Sequence, residues 1–260
     1  MKPRTEEFLN LLLWSADMLL RPTFRNLTGS YESWAFRNGL LHRVTALEKQ
    51  RFLERDSAWR DDRIYRLTKL GRLHALGGRD PQERWSRKWD GRWRLVVFDV
   101  PTTQNSRRSR LTRYLRKRGF GRLQNSVWIT PDVLEEEMKT LSEGKANVGS
   151  MILLDARPCA GEPDADIVTS AWNFERINLR YKQHLKVLDE RPKATLRNEE
   201  AAKALLNWAT LERTAWLRAV QSDPLLPERI LPLDYVGRSA WKRRIEVLRA
   251  ASQHLQTFSH

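Results

Sequence analysis

The residues of this sequence best suited to chemistry are its cations. Lysine and arginine number 47 against 32 aspartates and glutamates, which gives a formal net charge of +15 and a pI near 10.4. A basic protein can be basic for solubility alone, but charge concentrated in one stretch is typical of a protein that binds a polyanion. Between Val100 and Pro131 the sequence has eight cations and no Asp or Glu: Arg107, Arg108, Arg110, Arg113, Arg116, Lys117, Arg118 and Arg122. We therefore expect this protein to contact nucleic acid.

Other reactive side chains are too few or too scattered to predict a metal site. Cys159 is the one cysteine, which excludes an intramolecular disulfide and a cysteine-based zinc site. The five histidines show no ligand spacing: His42, His74, His184, His254 and His260. The sequence therefore predicts neither a metal nor a cofactor.

The sequence also predicts no membrane contact. No apolar run approaches the roughly 20 residues that a spanning helix needs. Glu6 and Glu7 precede an amphipathic segment that does not resemble a signal peptide. Together with the single cysteine, these features favour a reducing, cytoplasmic setting.

The basic stretch lies within a predicted run of strand, helix, strand and strand. An apolar run ended by Pro101 is typical of a buried strand, and Gly119 suits the end of a helix. The segment Gln124-Asn125-Ser126 suits a hairpin turn. The predicted elements are strand Trp93–Val100, helix Ser106–Arg118, strands Phe120–Leu123 and Val127–Thr130, helix Val133–Ser142 and strand Val148–Leu154. This βαββαβ order predicts a ferredoxin-like middle domain.

The helix predicted over Ser106–Arg118 is amphipathic. Its apolar face is predicted to hold Leu111, Tyr114 and Leu115. The opposite face is predicted to hold Arg110, Arg113 and Lys117. The three cations could contact phosphate groups, or they could form a solvated surface. The sequence leaves both alternatives open.

The N-terminal region has the order of a winged helix-turn-helix. Helical segments end with Leu40–Gln50, and a predicted hairpin of Phe52–Arg55 and Ile64–Leu67 follows, with Thr68 as the cap of the next helix. In such a fold the recognition helix enters the major groove and the wing contacts the backbone or the minor groove. Each predicted contact could instead be a solvated surface side chain. The predicted contacts to double-stranded DNA are Asn38, His42, Arg43 and Lys49 from the helix, and Arg60 and Arg63 from the wing.

The C-terminal region is predicted to be all-helical. After a polar linker at Arg157–Asp166, helical patterns run from Ala171 to Glu190, from Asn198 to about Ser222 and from Arg238 to Leu255. The predicted fold class is therefore α+β. Its three domains are a winged helix-turn-helix at 1–78, a ferredoxin-like middle domain at 90–157 and a helical domain for effector binding or dimerisation at 168–260.

Three stretches of the sequence resemble the PaaX family of transcriptional repressors. They are WDGRWRLVVFDVP from Trp89, RGFGRLQNSVWITP from Arg118, and DPLLP followed by ILPLDY from Asp223. In the last stretch Tyr235 and Val236 stand where the family usually has Trp and Pro. The middle domain of that family is in turn similar to the small CRISPR-adaptation endoribonucleases.

The resemblance implies one function, and two alternative functions stay open. It implies a homodimeric DNA-binding repressor, not an enzyme, that an acyl-CoA effector releases from DNA. In the similar endoribonucleases, an aspartate at the position of Asp99, paired across a dimer, holds a divalent metal that activates water. Asp99 could instead cap the turn at Pro101. A third reading is a protein that binds nucleic acid without sequence preference through its basic helix.

Overall fold

The structure is a computed structural model that describes residues 46–55, 65–101, 103, 105–134, 150–192 and 199–256. This part of the chain is α+β, with a two-stranded sheet, a four-stranded sheet and several helices. Its internal contacts divide it into two compact units. Unit 1 holds the described residues up to Asp80, Leu179–Ala219 and the chain from Val236, and unit 2 holds Pro81–Asn178 and Val220–Tyr235. The domain limits given above stay predictions.

The described elements follow one another in this order: helical residues 46–49, β1 (Leu53–Arg55), β2 (Tyr65–Leu67), α1 (Lys69–Ala75), α2 (Pro81–Ser86), β3 (Trp93–Asp99), α3 (Asn105–Lys117), β4 (Gly121–Gln124), β5 (Val127–Thr130), β6 (Ser150–Ala156), α4 (Asp164–Ala171), α5 (Phe174–Asp189), α6 (Glu199–Ser222), a 3₁₀ helix (Glu228–Ile230) and α7 (Gly237–Gln256).

Unit 2 is built around the four-stranded sheet. Its strand order is β4-β5-β3-β6, and every neighbouring pair is antiparallel. Side chains alternate along β3, so Val96 and Phe98 face the core that also contains Leu111 and Leu115 of α3 and Trp128 of β5. Burying each of these side chains contributes about 2 kcal/mol. This core fixes α3 against the sheet and leaves the other face of the helix to solvent.

Most of the predicted elements of unit 2 are confirmed, with small shifts. Strand Val127–Thr130 has the predicted limits, and Asn125 and Ser126 form the turn before it. The last strand is β6, which ends two residues later than predicted, at Ala156. The helix predicted at Val133–Ser142 falls almost wholly outside the described residues, and Val133 and Leu134 are not helical.

The predicted start of the first C-terminal helix is wrong, whereas its predicted end agrees with the structure to within one residue. A helix (α4) already begins at Asp164, inside the predicted linker, and it ends at Ala171, where the long helix was expected to begin. The backbone is extended at Trp172, which ends α4, and the Trp172 indole N–H donates to the carbonyl of Gly119, 3.0 Å away. Asn173 then accepts from the backbone N–H of Arg176 at 2.8 Å, which caps α5.

The proline-rich segment Val220–Tyr235 is packed within unit 2. Leu225 and Leu226 are buried, and the backbone N–H of Leu225 donates to Asp223 at 2.8 Å. The hydroxyl of Tyr235 donates to the same carboxylate, and its ring packs edge-on against Trp85 of α2. These contacts lie within unit 2, so the PaaX-like phrase has a structural role there.

Unit 1 contains parts of the last three helices, α5, α6 and α7, around a mixed core. Leu188, Trp208, Val247 and Leu248 form its apolar cluster. A second set of buried side chains carries charge, with Glu212 of α6 between His184 of α5 and Arg244 of α7.

Candidate nucleic-acid interface

The structure describes only part of the predicted DNA-contacting set. Asn38, His42, Arg43, Arg60 and Arg63 lie outside the described residues. Lys49 is described, and it is exposed at the end of the helical residues 46–49. The contact that sequence reasoning assigned to Lys49 stays a prediction.

The β1–β2 hairpin of unit 1 joins this helix end directly to α1. Leu47 and Leu53 are buried on either side of the turn, and β1 pairs with β2 in antiparallel register, Leu53 opposite Leu67. The backbone N–H of Thr68 donates to the carbonyl of Phe52 at 3.0 Å. The hairpin is therefore closed at its base by backbone pairing and by apolar burial.

Thr68 fixes the start of α1 against that base, and its predicted capping role is confirmed. Its side-chain oxygen accepts from the N–H of Gly71 at 3.0 Å and donates to the carbonyl of Arg51 at 2.6 Å. One hydroxyl thus caps a helix and ties it to the preceding turn. We call this contact the Thr68 tie.

Gly71 permits the close approach of α1 to the turn. A Cβ atom at this position would lie 2.1 Å from the carbonyl oxygen of Phe52, which is backbone and cannot swing away. Phe52 also packs edge-on against His74, with ring centroids 4.7 Å apart. The first turn of α1 is therefore held in one place relative to the helix end.

The basic face predicted for the middle domain is present on α3 of unit 2. Leu111 and Leu115 are buried, whereas Arg110, Arg113 and Lys117 are all exposed. Positions 110, 113 and 117 share one side of a helix because they are three and four residues apart. Since α3 contains no acidic residue, nothing on the helix itself neutralises this face.

Two neighbouring arginines are engaged by aromatic rings. The guanidinium of Arg116 lies 5.8 Å from the ring centroid of Trp128, and that of Arg118 lies 5.7 Å from the ring centroid of Tyr114. Cation–π contacts of this kind hold a side chain against the protein surface. The sequence pattern did not indicate that some of the eight cations contact aromatic rings while others are exposed without such a contact.

Asp99, the candidate for metal chemistry, is the last residue of β3 and is exposed. It lies opposite Ser150 of β6. Its carboxylate makes no hydrogen bond to another described residue, so the predicted cap at Pro101 has no support in the described part. Among the residues that the structure describes, no group of three His, Cys, Asp or Glu side chains could hold a metal ion.

No helix of the described residues is both long and apolar enough to cross a bilayer.

Two family models match the chain, one after the other. The PaaX protein central Cas2-like domain matches residues 86–168, which include β3, α3 and Asp99. The PaaX-like protein C-terminal domain matches residues 172–259. Together they contain all three stretches that resemble the family in sequence.

Two individual proteins are also similar to this chain. One is the transcriptional repressor PaaX of Escherichia coli (strain K12), which is 26% identical over 159 residues, 58% of this chain and 49% of the repressor. The alignment thus spans about half the length of that relative. The other is the solved structure of the uncharacterized protein Rv0674 from Mycobacterium tuberculosis, with a TM-score of 0.50 and 19% identity over 95% of this chain and 89% of that one.

The likeness to Rv0674 concerns the fold alone. The two domain models and the likeness to the repressor agree with the sequence phrases that pointed to the same family. The chain belongs to the PaaX family.

Proposed function

We propose that this protein is a homodimeric, sequence-specific DNA-binding transcriptional repressor that acts in the cytoplasm. The observation that carries the proposal is the family match over residues 86–259, because the curated relative is a transcriptional repressor. The net charge of +15 supports a polyanionic partner. An acyl-CoA-type effector would release the protein from DNA only if it bound the DNA-incompetent state more tightly.

The DNA-reading part in this proposal is a winged helix-turn-helix over residues 1–78. The order of helix end, hairpin and capped helix, closed by the Thr68 tie, supports it. In such a domain the helix that precedes the hairpin reads the major groove, and the hairpin is the wing. The helix would supply Asn38, His42, Arg43 and Lys49, and the wing would supply Arg60 and Arg63.

The middle domain in this proposal is ferredoxin-like. The antiparallel order β4-β5-β3-β6 places the first strand of the domain between the third and the fourth, as in that fold, and supports this assignment. The exposed cations Arg110, Arg113 and Lys117 would add contacts to phosphate that carry no sequence information. The helical domain at 168–260 would serve dimerisation or effector binding.

The proposal is tested by measuring binding to the DNA upstream of this protein's own gene, against shuffled DNA of equal length, at near-physiological salt. A repressor should prefer its own site by at least about 10³-fold. A variant with His42, Arg43 and Lys49 changed to Gln should lose this preference. Lys182→Gln, which removes an exposed lysine of α5, is the matched control and should keep it. Equal binding of both DNAs by the native protein would overturn the proposal.

A metal-dependent nuclease is the second candidate, because Asp99 is exposed at the end of β3 inside the Cas2-like match. Hydrolysis would need a second carboxylate near the first, which a two-fold dimer could bring. Labelled oligonucleotide with and without Mg²⁺ separates the two functions. Cleavage that needs Mg²⁺ and disappears in Asp99→Asn would establish the nuclease, and intact DNA in every lane would rule it out under those conditions.

A further inference from the structure

We propose that Arg51, flanked by Lys49 and Lys69, is a contact to DNA phosphate at the base of the β1–β2 hairpin. We call these three residues the junction cations. The inference rests on the proposed function, since it adds residues to the same DNA-binding region. The sequence pattern had not indicated Arg51 or Lys69.

The backbone of Arg51 is the first argument. Its φ angle is 59°, in the left-handed region that residues other than glycine and asparagine seldom adopt. Arg51 is two residues after the last helical residue, Lys49, at the position beyond a helix end where glycine is the usual residue because it meets no steric penalty. An arginine at such a position costs stability, so a use for its side chain is the simplest reason to find it there.

The side chain of Arg51 has no structural task that would provide this reason. It is exposed, and its guanidinium makes no hydrogen bond or ion pair to a described residue. The hydrogen bonds that Arg51 makes to described residues come from its backbone. The N–H of Arg51 donates to the carbonyl of Glu48 at 2.9 Å, and its own carbonyl accepts from Thr68 at 2.6 Å.

The Thr68 tie brings the segments that carry the junction cations close together. Lys49 is two residues before Arg51, and Lys69 directly follows Thr68, whose hydroxyl donates to the Arg51 carbonyl. Both lysines are exposed. The acidic residues nearest in sequence, Glu48 and Glu54, are half-buried and each has an interaction of its own.

The chemistry of the group fits a phosphodiester. A guanidinium donates two parallel hydrogen bonds to phosphate oxygens, and two ammonium groups beside it raise the local positive potential. Because hydrogen bonds to Glu48 and Thr68 already hold the backbone of Arg51, binding to phosphate would order only its side chain. Such a contact fixes the position of the protein on the duplex and reads no base.

Replacing Arg51 by residues that favour the left-handed region separates structure from function. Arg51→Gly and Arg51→Asn relieve the backbone and remove the charge, so both should melt at or above the temperature of the native protein. Both should bind own-promoter and shuffled DNA about tenfold more weakly. Each should also lower the slope of log K against log salt by about 0.9, the value for one phosphate contact. Lys182→Gln removes one charge elsewhere and should change neither quantity.

The outcomes distinguish this inference from the proposed function. If the native protein prefers its promoter and both Arg51 variants bind with unchanged affinity and slope, the phosphate contact is refuted and the repressor stands. If the native protein shows no preference but both variants lose affinity and slope, the contact stands and sequence-specific repression is refuted. A variant that melts well below the native protein would show that the Arg51 side chain is structural, which also refutes the inference.

Discussion

The buried carboxylate of Glu212 provides the sharpest test of how unit 1 is held together. Arg244 donates to it twice, from Nε at 2.6 Å and from Nη2 at 3.2 Å, and His184 Nε2 lies 2.8 Å from the same carboxylate. The three side chains are 1%, 3% and 0% exposed, in the order Glu212, Arg244 and His184. Each is therefore cut off from the water that would otherwise solvate its charge.

Removing Arg244 should cost much more than removing an ordinary arginine. The change Arg244→Met keeps the bulk of the side chain but leaves the Glu212 charge buried without its main partner, which typically costs about 3–5 kcal/mol. The lowered pKa of Glu212 leads to a similar value for the free energy that its partners contribute to stability. Burial by itself raises this pKa, but the charge of Arg244 and the hydrogen bonds from His184 and Arg244 outweigh it and lower the pKa to about 2. Against an unfolded value of about 4.3, that shift corresponds to about 3 kcal/mol.

The sign of the pH dependence follows from the lowered pKa. The stabilisation by Glu212 is fully present above its unfolded pKa and is lost as the pH falls through the folded value, over roughly pH 5 to 2. In Arg244→Met the carboxyl can become neutral at low pH, which removes the unpaired charge. The difference in free energy of unfolding between the native protein and the variant should therefore shrink as the pH is lowered from 7 to 3.

The assay is urea unfolding followed by tryptophan fluorescence, because Trp216 lies beside the cluster, 4.9 Å from the Arg244 guanidinium. Arg243→Met is the matched control, since its ion pair with Asp189 is 3.5 Å long and both side chains are more than half exposed. This control should cost under about 1 kcal/mol. Equal costs for the two variants, or a cost for Arg244→Met that does not change with pH, would refute the reasoning.

Three further predictions concern other parts of the molecule. Gly71→Ala should destabilise unit 1 by at least about 2 kcal/mol in urea unfolding, because the new Cβ would lie 2.1 Å from the Phe52 carbonyl oxygen. The control Leu70→Ala, at a half-exposed neighbouring position, should cost less than half as much. Changing Arg110, Arg113 and Lys117 together to Gln should weaken binding to promoter and shuffled DNA by equal factors in a salt titration, and a loss confined to promoter DNA would contradict their role as phosphate contacts. Asp132→Asn should flatten the pH dependence of the free energy of unfolding between pH 5 and 2. Burial raises the pKa of Asp132, but Arg84 and Arg87 lower it on balance, so the stabilisation by this carboxylate is lost as the pH falls. An unchanged pH profile of thermal melting would count against the pairing of Asp132 with the two arginines.

Local sequence patterns correctly predicted those elements whose limits depend on residues close together in the chain. The strand at Val127–Thr130, the capping role of Thr68 and the end of the long helix at Ser222 were all predicted from neighbouring residues. The apolar face of α3 followed from the spacing of Leu111 and Leu115 alone. In each case the residues that determine the structure lie within a few positions of one another.

The features that were not predicted involve contacts between residues far apart in the chain. At the break between α4 and α5, the Trp172 indole is hydrogen-bonded to the carbonyl of Gly119, which lies 53 positions earlier in the chain. A Cβ atom at Gly121 would lie 2.5 Å from the Trp172 ring, so the close fit of α4 on β4 could not be inferred from either segment by itself. The tie between α1 and the Arg51 carbonyl likewise needs Thr68, which lies 17 positions later in the chain, beyond the hairpin.

The most direct measurement for the central claim is a hydroxyl-radical footprint of the protein on the DNA upstream of its own gene. A dimeric repressor with a winged helix in each protomer should protect two short patches whose centres are about 10 base pairs, or a multiple of one helical turn, apart. The pattern should disappear when His42, Arg43 and Lys49 are changed to Gln. Uniform protection along the whole fragment, or the same footprint on shuffled DNA, would contradict the account.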